Sequence, residues 1–123
     1  MLQGTILFAH GSRDPLWRKP VEAVAQRVQA LDAHRRVGCA YLEMTEPNLE
    51  TCTADMISQG VKAVNVVPLF LGVGKHARED LPVLMAELRS AHPTVTFELL
   101  PAAGEHDALV SLMAGIAVSG SPA

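Results

Sequence analysis

The sequence predicts an α/β fold: a four-stranded parallel sheet flanked by helices, in the chain order βαβαβαβα. Short continuous apolar runs recur along the chain, the mark of strands covered on both faces. Between them lie segments whose apolar residues return at helical spacing. The strict alternation of the two implies right-handed crossovers and helices on both faces of the sheet.

The first run is Thr5-Ile6-Leu7-Phe8-Ala9, and "HGSRDPLWRKP" turns the chain away from it. A helix follows through Val21, Val24, Ala25, Val28 and Leu31. "VGCAYLEM" is the second strand, ending near Glu43. Thr45, Glu46 and Pro47 then predict a helix start, with a cap, an acidic residue and a first-turn proline. Its inner stripe is Leu49, Cys52, Thr53, Met56 and Ile57, and Gly60 stops it. "VKAVNVVPLFL" is the third strand; "GVGKHAREDLP" leads from it into a helix through Leu81, Leu84, Met85, Leu88 and Ala91. "TVTFELL" is the fourth strand, and "PAAGEHD" turns into a last helix through Leu109, Leu112, Met113 and Ile116. Met44, Met56, Met85 and Met113 are expected to fill the core. The chain reads as one domain, residues 1–123, with a frayed tail from about residue 118.

Composition narrows the function classes. With 123 residues and 49% apolar content, the chain can bury roughly two-thirds of its unfolded surface. A net charge of −3 and few aromatic residues argue against a nucleic-acid binder, though a local basic pocket remains compatible with them. No apolar run approaches the ~20 residues of a membrane span, and the first residues lack a secretory pattern, so the expected location is the cytoplasm. Cys39 and Cys52 read as small buried hydrophobes rather than a disulfide or a metal pair.

In a parallel α/β sheet, functional groups gather beyond the carboxyl ends of the strands. His10, Ser12 and Arg13 follow the first strand, and Glu43 ends the second. Lys75, His76 and Arg78 follow the third; His106 follows the fourth. His34 and His92 follow helices and belong at the opposite edge. Two imidazoles and a carboxylate suit a borderline divalent ion such as Co²⁺, Ni²⁺, Fe²⁺ or Zn²⁺, with coordination positions left open. Arg13, Lys75 and Arg78 are either solvated charges or the cationic mouth of a site for an anionic ligand. Glu46 reads as helix-dipole stabilisation. His106 is either a pocket wall or a surface histidine at a helix start. Other signatures fail: the residue before His10 is Ala9, not the Arg of a histidine phosphatase. "GVGKH" lacks the remainder of a P-loop, and no G-x-G-x-x-G opens the first helix.

The segments "ILFAHGSRDP", "LEMTEPNLE", "VVPLFLGVGKHAREDLP" and "PAAGEHDAL" together resemble the class II chelatases of tetrapyrrole biosynthesis. The likeness is to the short CbiX-type sirohydrochlorin chelatases and runs from about residue 4 to residue 114. It implies insertion of a divalent metal into sirohydrochlorin in cobalamin or sirohaem biosynthesis, with Co²⁺ first and Fe²⁺ next. Ni²⁺ insertion into a sirohydrochlorin derivative, or a non-catalytic metal or tetrapyrrole carrier, are the alternatives. His10 and His76 match the family's metal-binding and catalytic histidines, and Glu43 the acidic position near the metal. Ser12, Arg13, Lys75, Arg78 and His106 would meet the substrate. Short forms resemble half of the longer enzymes, which implies a homodimer. The metal is substrate here, and no organic cofactor is implied.

Overall fold

The structure is a computed structural model that describes residues 1–120. Four parallel strands form one sheet: β1 (Gln3–Ala9), β2 (Arg36–Tyr41), β3 (Ala63–Pro68) and β4 (Thr96–Leu99), in the spatial order β2-β1-β3-β4. Helices α1 (Lys19–Leu31), α2 (Leu49–Ser58), α3 (Lys75–Ala91) and α4 (Asp107–Ser119) alternate with them. The predicted alternation and parallel sheet are both present. A single 3-10 turn, Ala103–Glu105, also precedes α4. The last helix runs into the expected tail as far as Ser119, closed by Gly120 in a left-handed conformation; residues 121–123 lie outside the described residues.

Strand periodicity divides the core in two. Ile6, Phe8, Ala40, Val64, Val66 and Phe97 point to one face, where α2 and α3 cover them with Cys52, Met56, Leu81, Met85 and Leu88. Leu7, Ala9 and Tyr41 point to the other and meet Val21 of α1. β1 is buried from Gly4 to Ala9 because it is central and covered on both sides. Each large side chain so buried contributes roughly 1.5–3 kcal/mol. Gly38 lets α2 approach the sheet: a Cβ there would lie 2.7 Å from the Cys52 sulfur.

Three expectations need correction. The second helix starts not at Thr45 but at Leu49, because Asn48 caps it, its Oδ1 accepting from the Thr51 N–H at 2.8 Å. The backbone ahead of it, Leu42 to Pro47, turns back instead, with the Tyr41 N–H bonded to the Pro47 carbonyl. The third helix starts at Lys75, six residues before its apolar stripe, and carries Pro82 in its interior. Met56 and Met85 are core residues as expected, but Met44 is 61% exposed and Met113 40%. Met44 adopts φ 64° in the loop after β2, so it cannot continue the strand into the core.

Cys52 is buried against the sheet, and burial pushes its thiol up to about 11. Cys39 is also raised, first by burial, and both cysteines are free. At pH 8 the Cys52 thiol is thus almost wholly protonated and a poor nucleophile. Ellman's reagent is therefore expected to leave Cys52 unreacted in the native protein and to titrate it promptly in guanidinium. Fast native reaction would show that the α2–sheet contact opens.

Gly11 and Gly60 both take positive φ, 104° and 95°. A Cβ at 11 would overlap the Glu43 carbonyl oxygen, whereas nothing lies within 4 Å of one at 60. Gly60→Ala should cost about 1 kcal/mol, from backbone conformation alone. Gly11→Ala adds steric overlap and should cost about 1–3 kcal/mol more. Equal urea midpoints for the two variants would contradict this packing.

Candidate functional site

The sheet's carboxyl edge is held by hydrogen bonds that run past the ends of the strands. Leu42 N–H donates to the Ala9 carbonyl at 2.9 Å, and Glu43 N–H to the His10 carbonyl at 3.0 Å. On the other side of β1, Leu69 N–H donates to the Phe8 carbonyl at 2.7 Å. His10 is thus fixed at its backbone between the ends of β2 and β3 while its side chain reaches solvent. Gly11 follows because the chain passes against the Glu43 carbonyl, where no side chain fits.

The loop after β1 is clasped to the loop after β2. Ser12 N–H donates to Thr45 Oγ1 at 3.2 Å, and the Thr45 hydroxyl donates back to the Ser12 carbonyl. Ser12 Oγ accepts from the Asp14 N–H at 3.1 Å, so this hydroxyl turns its own loop. Thr45, expected to cap a helix, instead ties two site loops together.

His10, Glu43, Lys75 and His76 line one cleft of about 560 Å³, with Leu42, Gly74 and Ala77. Gly74 is the N-cap of α3, which places Lys75 and His76 in its first turn and aims the helix's positive end at the cleft. Asp80 also lines it, one helical turn beyond His76. Sequence reasoning missed Asp80, although its i+4 spacing from His76 on a helix was legible. The His10 imidazole stacks on Phe70, ring centroids 4.3 Å apart and planes at 27°.

The expected set of two histidines and a glutamate is not drawn together into one ligand group. Among the described residues, no three His, Cys, Asp or Glu side chains are close enough to hold a metal ion. The donors come from three separate strand ends around an open cleft, so they share a wall without converging. His10, Glu43 and His76 are all exposed.

The remaining candidates lie elsewhere. Arg13 is exposed, beside the cleft in sequence but not part of its lining. Arg78 lines a neighbouring groove of about 510 Å³ with Pro68, Leu81, Pro82 and Leu99, and its Nη1 donates to the Val73 carbonyl at 2.7 Å. His106 precedes α4 and lines a third cavity with Val67, Leu109 and Leu112. His34 and His92 stand at the opposite edge as expected, and His92 Nε2 lies 3.2 Å from Glu50 Oε1.

The CbiX family model matches residues 4–115. Sirohydrochlorin cobaltochelatase from Methanopyrus kandleri is 32% identical over 80 residues, 65% of this chain and 56% of that protein. Sirohydrochlorin ferrochelatase from Bacillus subtilis is 32% identical over 98 residues, 77% of this chain and 36% of the other. The chain thus spans little more than half the length of these curated relatives, or less. Among solved structures, a putative cobalamin biosynthesis CbiX protein from Marinobacter aquaeolei superposes with TM-score 0.83 and 32% identity, over 96% of each chain. The sirohydrochlorin chelatase SirB of Bacillus subtilis subspecies spizizenii, in complex with cobalt, gives TM-score 0.82 at 25% identity over 96% of this chain and 50% of that one. With the family model covering nearly every residue from β1 to α4, this chain belongs to the CbiX family.

Proposed function

We propose that the protein is a sirohydrochlorin chelatase that inserts a divalent metal, Co²⁺ first and Fe²⁺ next, into the tetrapyrrole. The observation that carries this reading is the single cleft shared by His10, Glu43, Lys75 and His76. Relatives named for both metals, and SirB structures with cobalt and with Fe³⁺, support the metal class. The reaction exchanges one divalent ion for the two pyrrole N–H protons of the ring. His10 and His76 hold the ion. Imidazole suits late first-row metals, and two such ligands leave the ion open to transfer. Glu43 and Asp80 bring carboxylates to the same cleft, where each can take a proton that leaves the ring. Lys75 and the positive end of α3 face the carboxylates on the ring's rim, with Arg13 close by in the loop after β1. Arg78 and His106 serve the substrate only at the rim, from their neighbouring cavities.

A homodimer completes this reading, with α4 as the joining element. None of its thirteen residues is buried. Leu109, Leu112, Met113 and Ile116 make one apolar stripe, and the last three are 40–43% exposed. The helix carries no Lys or Arg, so two copies can pack on this stripe without burying like charges. The chain matches half of the SirB chain, which supports a second copy as the missing half.

Anaerobic insertion assays with sirohydrochlorin and Co²⁺, Fe²⁺ or Ni²⁺ should show multiple turnovers. His10→Ala and His76→Ala should each lower the rate by about 10²-fold or more. Both side chains are exposed, so the folds should persist by circular dichroism. Stoichiometric metal or tetrapyrrole binding with no insertion above the protein-free control would instead identify a carrier.

Sedimentation should find a dimer in the wild type and a monomer in Leu112→Glu/Ile116→Glu, with secondary structure retained. A wild type that stays monomeric at all concentrations would overturn the α4 interface.

A further inference from the structure

We propose that Phe70 is a positioning residue for His10, fixing the plane of its imidazole from beneath. The proposal deepens the reading of His10 as a metal-holding residue and rests on it for its functional consequence. Phe70 is 2% exposed, and its ring packs against Phe8 in the core at a centroid distance of 6.1 Å. Its other neighbour is the exposed His10 imidazole, 4.3 Å away and within 27° of parallel. One buried ring thus connects the rigid core to a solvent-exposed ligand.

The backbone that carries Phe70 is held from two sides. Leu69 N–H bonds to the Phe8 carbonyl at 2.7 Å, and the Phe70 carbonyl accepts from Gly104 N–H at 2.9 Å. A Cβ on Gly104 would overlap the Leu71 carbonyl, so only glycine brings the 3-10 turn this close. The "GEH" segment therefore supports the site through Gly104, while His106 faces another cavity.

An imidazole at a strand end is otherwise free to turn about its two side-chain torsions. Stacking covers one face of the ring and leaves its nitrogen-bearing edge for an ion or a proton. The restriction is made before the ion arrives, so binding does not have to order the side chain. Phe70 touches neither ion nor tetrapyrrole on this account; it acts through His10.

The test combines nuclear magnetic resonance with Co²⁺ titration of the metal-free protein. His10→Ala assigns the His10 ring resonances. In the wild type these protons should lie upfield of those of exposed His34, shifted by the Phe70 ring current. Phe70→Leu, or Phe70→Met if the leucine variant does not fold, should abolish the shift. The same variant should weaken Co²⁺ binding roughly threefold to tenfold, as released torsions predict. It should have no effect in the His10→Ala background. The proposal fails if the wild-type His10 protons match those of His34. It fails equally if the Phe70 substitution weakens Co²⁺ binding to the same extent without His10, since Phe70 would then act only through the core. If His10→Ala itself leaves Co²⁺ affinity unchanged, the metal-holding role of His10 falls, and the ring-current comparison alone decides whether Phe70 positions it.

Discussion

The site depends on the way β1 is bonded along both edges and beyond its own end. Parallel pairing with β2 runs to Ala9↔Tyr41, and pairing with β3 to Phe8↔Pro68. Hydrogen bonds then continue from Leu42, Glu43 and Leu69 to the Ala9, His10 and Phe8 carbonyls. Three loops therefore leave the sheet from a shared, hydrogen-bonded rim. The histidine and the carboxylate are presented together because their backbones are bonded to one another, and the Leu69 bond to Phe8 brings the chain that leads into α3 off the same rim. Their side chains need make no mutual contact for the arrangement to hold.

That rim also explains the glycines around it. Where backbones from neighbouring strand ends must touch, a Cβ has no room, as at Gly11 against Glu43 and Gly104 against Leu71. Gly74 has open space around it and serves differently, as the N-cap of α3. The three positions look alike in the sequence, but only the first two are required by close approach.

The sheet, its topology class and the segregation of the histidines were legible because they follow from periodicity and connection order. Continuous runs such as "TILFA" and "VVPLF" are consistent with buried strands, and the parallel order puts their ends together; the first is buried throughout, whereas the second alternates between buried and half-buried positions. What the sequence concealed depended on local competition between residues. Thr45 has a cap's chemistry but is drawn to Ser12 across 33 positions, which leaves Asn48 to start α2. Met44 and Met113 have core composition, yet one sits at positive φ and the other on a helix none of whose residues is fully buried. Arg78 has the charge of a substrate-binding group, but a carbonyl three-dimensionally beside it claims one guanidinium nitrogen.

If His10 and His76 hold the ion, as proposed, the openness of their cleft suits a transfer reaction rather than storage. A closed set of three or four ligands binds tightly and gives the ion up slowly, since each bond must break before it moves. In this protein His10 and His76 line a cleft of about 560 Å³, and among the described residues no third His, Cys, Asp or Glu converges with them. Order is supplied instead by the surroundings: Phe70 beneath His10, the first turn of α3 around His76, and the clasp between Ser12 and Thr45. On the proposed role of the two histidines, such rigid placement would let an ion be held in a defined position while most of its coordination stays available to an incoming ring. A site whose ligands were both numerous and preassembled would compete with the tetrapyrrole nitrogens for the same ion. Fixing the supports and leaving the ligand shell incomplete separates precision of placement from strength of binding, and insertion requires the first without much of the second.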